Sequence, residues 1–180
     1  WVEERETSDE RRFDYDKPGR LDLQMPLPLG QAFPLWDAGD PVSVFRDKAT
    51  SVKTSASQHG VLLVRYDHCL EMAFEDRGFG QRATPRFAET MFAHRLYIAD
   101  GFSRSTGAGL DRLTKELTFW RMVLREARTP DMEVAAQFVM QDDTKLISRM
   151  VSQPVVDKTL LIAALQLMVP LTSSEYSLRW

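Results

Sequence analysis

Apolar residues recur at spacings of three and four through the middle of the chain, between residues 84 and 128. One series follows Thr84-Pro85 and runs to Gly101, and a second consists of Leu110, Leu113, Leu117, Trp120 and Leu124. Such spacing places side chains on one face of an α-helix, and a hydroxyl residue followed by proline is typical of a helix start. The pattern predicts two helices folded back on each other, the first of which ends at Gly101 in a left-handed conformation.

The face of the second helix opposite these apolar residues is charged. It carries Asp111, Lys115, Glu116, Arg121 and Arg125. Charged positions opposite an apolar stripe are normally solvated. We therefore expect these side chains to be exposed.

Further helices are predicted on both sides of this pair. Apolar positions between residues 61 and 75 fit one helix, and Thr129-Pro130 is a second start signal, followed by an apolar stripe that Asp142-Asp143 interrupts. A short helix capped by Asp143 and a last helix from Pro154 to Pro170 complete the pattern. The sequence thus predicts an all-α fold of about six helices, either an irregular bundle or stacked helix hairpins of the α-solenoid kind.

The first 58 residues follow a different pattern. Prolines at positions 18, 26, 28, 34 and 41 forbid a long helix, yet many residues near them are apolar: Leu23, Met25, Leu27, Leu29, Phe33, Leu35 and Trp36. Apolar side chains on a proline-stiffened backbone need a surface, either on their own domain or on a partner protein. We predict an extended arm at 1–58, with these apolar residues as partner contacts, a helical domain at 59–171 and a short tail at 172–180.

Composition disfavours several classes of protein. The 23 basic and 26 acidic residues give a net charge of −3, whereas a nucleic-acid partner would call for a basic excess. Cys69 is the only cysteine, so a disulfide framework within the chain is excluded. The longest apolar run, 159–171, is shorter than the roughly 20 residues that cross a bilayer, so no transmembrane segment is predicted.

The beginning of the chain suggests a compartment. Trp1 is followed neither by the apolar stretch of a signal peptide nor by an Arg- and Ser-rich leader. We expect a processed organellar protein on the matrix side of the mitochondrial inner membrane, with the cytoplasm as the alternative.

Residue types that support catalysis or metal binding are present but poorly arranged. Asp67-His68-Cys69 places acid, imidazole and thiol side by side, but helix neighbours point about 100° apart and cannot act on one atom, so we expect Cys69 to lie in the core. Asp142-Asp143 is interpreted as helix capping rather than a cation site. No metal or other cofactor is predicted, because paired ligand spacing is missing at all three histidines: His59, His68 and His94.

The turn from Gly101 to Gly109 offers an alternative. Free N–H groups, hydroxyls and a guanidinium precede a helix N-terminus there, where anions are favoured. The stretch lacks the strand and the Lys-Ser/Thr ending of a P-loop. Interhelical capping uses the same residue types, so an anion site is an alternative hypothesis for Arg104, Ser105, Thr106 and Gly107.

Without a catalytic constellation, the sequence predicts a non-enzymatic accessory or structural subunit of a large assembly. Its partners are other protein subunits, contacted through the arm and the helical surface. The expected setting is a mitochondrial membrane complex, such as the respiratory chain or ATP synthase. The alternatives are a helical phosphate- or nucleotide-binding protein that uses the 101–109 turn and a peptide-binding helical adaptor.

Overall fold

The structure is a computed structural model that describes residues 39–75, 87–153 and 158–176. Its regular structure in these ranges is helical, which confirms the all-α class. Seven helices and a single final turn follow one another: α1 (Pro41–Asp47), α2 (Ala49–Gln58), α3 (Gly60–Cys69), α4 (Phe87–Arg104), α5 (Thr106–Glu126), α6 (Pro130–Val151), α7 (Lys158–Leu167) and α8 (Ser173–Tyr176).

Helix α4 is the centre of the fold. It packs against α1, α2, α3, α5 and α6, and its largest fully buried apolar side chains are Phe92, Leu96, Ile98 and Phe102. Helix α1 also contacts α6, although the two are far apart in sequence. Such contacts between distant helices are typical of a bundle, because a solenoid repeat contacts mainly its neighbours. The irregular bundle is therefore the arrangement observed.

The α4–α5 hairpin matches the prediction but not its turn. Helix α4 continues through Gly101 to Arg104, and Ser105 is the single residue between α4 and α5. Ser105 caps α5, since the Oγ of Ser105 accepts a hydrogen bond from the N–H of Ala108 at 3.0 Å. A Cβ atom on Gly101 would lie 3.1 Å from the Cα of Gly109. The predicted helix end at Gly101 is wrong, because this glycine lets two helices approach closely instead of ending one.

Helix α6 is continuous where the sequence predicted a break. Asp142 and Asp143 lie in its interior and are buried, so the interpretation of this pair as a break and a cap is wrong. Buried apolar residues on both sides, Val139 and Leu146 among them, form one uninterrupted stripe. Packing of that stripe against the rest of the bundle keeps α6 helical across the positions of the two aspartates.

The helical body begins earlier than predicted. Residues 41–58, assigned to the arm, form α1 and α2 and pack on α4. Asp40 caps α1, since its Oδ1 accepts from the N–H of Ser43 at 3.1 Å, and Pro41 occupies the first turn. The arm residues predicted to contact a partner, at positions 23–36, lie outside the described residues. None of the helices in the described ranges has the length and apolar character needed to cross a membrane.

Candidate functional site

Three polar side chains from three helices meet in the interior of the bundle. His94 of α4, Glu116 of α5 and Asp143 of α6 are each 0% exposed. One candidate ligand atom from each lies within 4.8 Å of the other two, and the Nδ1 of His94 is 2.9 Å from the Oε2 of Glu116. We call these three residues the buried polar cluster.

Helical spacing explains why these side chains point inward. Each residue of the buried polar cluster lies three or four positions from fully or nearly fully buried apolar residues of its own helix: Met91 and Ile98 in α4, Leu113 and Trp120 in α5, and Val139 and Ile147 in α6. Residues at these spacings share one face of a helix. The cluster therefore occupies core positions that an apolar side chain would normally fill.

Asp143 is the least satisfied member of the buried polar cluster. Neither of its carboxylate oxygens has a hydrogen-bond partner among the described residues. Burial raises the pKa of Asp143 well above its ordinary value, and the carboxylates of Glu116 and Asp142 raise it further. A carboxylate that is buried without a partner is costly, so this arrangement calls for a compensating positive charge or a proton.

A second layer of polar side chains surrounds the cluster. Arg95 donates two hydrogen bonds to the Oδ2 of Asp142, at 2.8 and 2.6 Å, and the same oxygen lies 3.9 Å from the Nε2 of His94. On the other side, the indole N–H of Trp120 donates to the hydroxyl of Tyr66 at 3.1 Å. Burial and then the Glu116 carboxylate raise the pKa of Tyr66. A carboxylate thus lies near His94, and a phenol interacts with Glu116.

The chemistry open to the buried polar cluster follows from its residue types and its burial. An imidazole and two carboxylates can share protons or coordinate a metal ion. Because all three side chains are 0% exposed, a substrate could not touch them in this conformation. The arrangement suits a buried structural or ion-binding role better than turnover of a substrate.

The residues of the predicted anion site lie at the junction of α4 and α5. Arg104, whose side chain is 64% exposed, pairs with Asp100 at 2.7 Å, and Ser105 caps α5. The hydroxyl of Thr106 accepts a hydrogen bond from Arg46, and Gly107 lies in the first turn of α5. Three of these side chains thus have partners within the chain, and anion binding stays a prediction.

The acid–imidazole–thiol run of α3 is dispersed, as its spacing predicts. Asp67 accepts hydrogen bonds from Lys115 at 2.6 Å and from Tyr97 at 2.5 Å, and His68 lies 4.0 Å from Glu71 near the surface. Cys69 is exposed. The expectation that Cys69 lies in the core is wrong, because α3 turns its Tyr66 and Leu70 faces inward.

The buried polar cluster differs from what the sequence predicts for all three residues. Glu116 is expected on the solvated face of α5, Asp143 is expected at a cap, and no ligand role is expected for His94 because paired ligand spacing is missing. Glu116 is buried together with Leu113 and Trp120, residues of the stripe that the sequence did identify. A charged residue three or four positions from stripe residues was the available signal.

Apolar side chains also form a surface at the end of the chain. Ile162 and Leu165 of α7 and Met168 and Val169 just beyond it are between 44% and 58% exposed. We call these four residues the α7 apolar surface. Exposed apolar residues that lie close together often mark contacts with other proteins.

Comparison with known proteins gave no match of any kind: no family model, no curated protein and no solved structure resembles the chain significantly.

Proposed function

We propose that the protein is a non-catalytic accessory subunit that binds other proteins of a larger assembly. The observation that supports this proposal most directly is the α7 apolar surface, where large apolar side chains are about half exposed. Burying them against a partner would be favourable, at about 25 cal/mol for each Å² of apolar area removed from water.

The position of the reactive groups also favours a non-catalytic role. The imidazole and carboxylates that come closest to one another, in the buried polar cluster, are 0% exposed. Catalysis requires a group within hydrogen-bond reach of a substrate atom. In this conformation the cluster lies out of the reach of a substrate.

A charge placed on the α7 apolar surface tests the proposal. We expect Leu165→Glu to release the protein from its native assembly, because a carboxylate would be buried without a partner at the interface. Gln166→Glu is the matched control, since Gln166 is also exposed and lies on the same helix. Native size-exclusion chromatography and native mass spectrometry of the protein isolated from its own cells would measure the assembly. A monomeric parent protein would contradict the proposal.

The predicted arm has its own test. If residues 23–36 lie on a partner, limited proteolysis should cleave them in the isolated protein and spare them in the native assembly. The respiratory chain or ATP synthase remains the predicted setting of that assembly, and the mitochondrial location is checked by subcellular fractionation. Cleavage at the same rate in both samples would contradict a partner contact of the arm.

The anion-binding alternative is separated by a direct measurement. Arg104 is exposed, but its guanidinium pairs with Asp100, which opposes the capture of a second anion. Calorimetric titration with inorganic phosphate and with a nucleotide would detect the site, and Arg104→Ala would abolish that binding. Binding that survives in the Arg104→Ala variant would exclude this site, and an absence of binding in the parent would leave the accessory-subunit proposal standing.

A further inference from the structure

The buried polar cluster has the composition of a metal centre, although no metal-binding motif is recognisable in the sequence. Its ligand atoms come from three helices, with one imidazole nitrogen and two carboxylates within 4.8 Å of one another. A metal site in a helical bundle is commonly built in this way, from inward-pointing side chains on facing helices. We propose that His94, Glu116 and Asp143 bind a divalent first-row transition-metal ion, with Zn²⁺ as the ion that fits best.

The distances are close to those that a bound ion requires. Ligands bound to one Zn²⁺ at about 2.0–2.2 Å lie roughly 3–3.6 Å from each other. The Nδ1 of His94 and the Oε2 of Glu116 are already 2.9 Å apart. All three ligand atoms lie within 4.8 Å of one another, so binding of one ion would require side-chain rotations that bring them closer.

An unpartnered carboxylate points to the ion independently of the spacing. Asp143 is 0% exposed, and both of its oxygens lack hydrogen-bond partners among the described residues. Metal ligands bind in their deprotonated forms, and in those forms the three side chains together carry two negative charges, which a divalent cation would neutralise. Because either oxygen of Asp143 is available, this carboxylate can bind the ion through one oxygen or both and so complete its coordination.

The second layer has the form that supports a ligating histidine. If the Nδ1 of His94 binds the ion, its Nε2 lies 3.9 Å from the Oδ2 of Asp142, and Arg95 holds that carboxylate with two hydrogen bonds. Metal-bound histidines usually donate their second N–H to a carboxylate, which fixes the orientation of the ring, and Asp142 is the carboxylate placed nearest to do so here once the two groups move into hydrogen-bond distance.

The ligand types decide the class of ion. A mixed set of imidazole and carboxylate suits Zn²⁺, Mn²⁺ or Fe²⁺. Ca²⁺ takes six to eight oxygen ligands and Mg²⁺ keeps several waters, which a cluster with an imidazole and no exposure does not provide. Zn²⁺ commonly binds only four ligands, so it fits the small number of ligand groups in the cluster. The burial of all three ligands also predicts slow exchange, with release that requires the bundle to open.

The proposal is tested on untagged, full-length protein. Elemental analysis after purification in medium with added ZnCl₂ should find about one Zn²⁺ per chain, as expected of a single site. Protein stripped of metal in denaturant and refolded with a chelator should gain at least about 5 °C in Tm when Zn²⁺ is added at 100 times its Kd. Co²⁺ would serve as a second probe, because its visible absorption reports the ligand geometry.

Variants assign the ion to the cluster. Asp143→Asn and His94→Gln should lower Zn²⁺ affinity at least about 100-fold, while Asp111→Asn, an amide substitution on the exposed side of α5, and Cys69→Ser, which removes the exposed thiol, should keep it. Circular dichroism of the metal-free variants shows whether each one folds, and Glu116→Gln replaces any that does not. The proposal is overturned if the parent protein binds no Zn²⁺, Mn²⁺ or Fe²⁺, or if Asp143→Asn, His94→Gln and Glu116→Gln all retain the ion.

Discussion

Asp142 and Asp143 are neighbours in α6, yet burial affects them differently. Asp142 is paired with Arg95 through two hydrogen bonds. Asp143 has no side-chain partner among the described residues, and burial raises its pKa. Removing one member of a buried ion pair leaves the other member charged, buried and unpaired, which destabilises the folded state. Removing a buried charge that has no partner takes away an unfavourable desolvation energy and does not destabilise the folded state. Amide substitutions at the two positions should therefore have opposite effects on stability.

We expect Asp142→Asn to lower the free energy of unfolding by about 1–3 kcal/mol, because Arg95 loses a charged acceptor. In metal-free protein, Asp143→Asn should leave this free energy unchanged or raise it. Chemical denaturation in the presence of a chelator measures both values. Asp111→Asn, at an exposed position of α5, is the control and should stay within about 0.5 kcal/mol of the parent. Equal losses for the two buried aspartates would contradict the argument.

At the residue scale, the apolar stripe of α5 was predictable and its charged member was not. Leu113, Leu117, Trp120 and Leu124 are buried as their spacing predicts. Glu116 was placed outside because charged residues are rarely buried without a partner. That partner, His94, comes from α4, and sequence spacing within one helix carries no information on which helices meet.

At the scale of helices, the α4–α5 hairpin depends on two glycines that face each other. The residue pairs Gly101 with Gly109, Tyr97 with Arg112 and His94 with Glu116 are in contact, so the helices run antiparallel. A Cβ atom on Gly109 would lie 2.3 Å from the ring of Phe102, which is fully buried. The close approach that brings His94 to Glu116 therefore requires glycine at this position.

Substitution of the α5 glycines tests this close packing. Gly109→Ala should destabilise the protein by about 1–3 kcal/mol, because the buried ring of Phe102 cannot move aside. Gly107→Ala is the matched control two residues earlier. Its Cβ would meet nothing nearer than the Oγ of Ser105 at 3.9 Å, so it should be neutral or stabilising by about 0.4–1 kcal/mol. Thermal denaturation followed by circular dichroism compares the two variants, and equal effects would show that contact with Phe102 does not matter.

The contact between α5 and α8 predicts a specific sensitivity to acid. Arg121 donates two hydrogen bonds to Glu175, each 2.9 Å long, and this pairing lowers the pKa of Glu175 to about 2 from its ordinary 4.5. A lowered pKa in the folded state adds stability above the ordinary pKa and loses it as the pH falls toward the folded value. The contribution should therefore be complete above about pH 4.5 and vanish by about pH 2.

Glu175→Gln isolates that contribution. We expect the variant to be less stable than the parent at neutral pH, by up to about 3 kcal/mol, and the difference to shrink as the pH falls. Urea denaturation at several pH values measures the free energies of unfolding. Glu126→Gln, an exposed acid at the end of α5, should show no such trend. A difference that is constant with pH would rule out the ion pair as its source.

Element types were predictable where element boundaries were not. Apolar spacings of three and four identified α3, α4, α5 and the beginning of α6. A glycine such as Gly101 can end a helix or can lie inside a helix where a second helix packs closely against it. Which of the two occurs depends on the position of α5, which the local sequence does not specify. The small polar residues of α2 gave no apolar stripe, and Val52 is its single buried side chain, so helix formation there depends on packing against α4.

At the scale of the whole molecule, helices from both ends of the described chain pack against the α4–α5 hairpin. Helix α1 contacts α4 and α6, and α8 contacts α5. Phe45 of α1 is 2% exposed, and its ring stacks on that of Phe102 with 6.4 Å between the ring centroids. Because Phe102 also contacts the position of Gly109, α1 and the hairpin share one continuous core. Such a core should unfold in a single cooperative transition.

Phe45→Ala tests whether α1 belongs to that unit. Loss of a buried phenylalanine from a shared core should lower the free energy of unfolding by about 3–5 kcal/mol and shift one transition as a whole. Val64→Ala, at a side chain that is 69% exposed, is the control and should change stability by less than about 0.5 kcal/mol. If residues 41–58 belonged to an independent arm, Phe45→Ala would leave the Tm of the bundle unchanged. Calorimetry distinguishes these outcomes, because it reports both the Tm and the number of transitions.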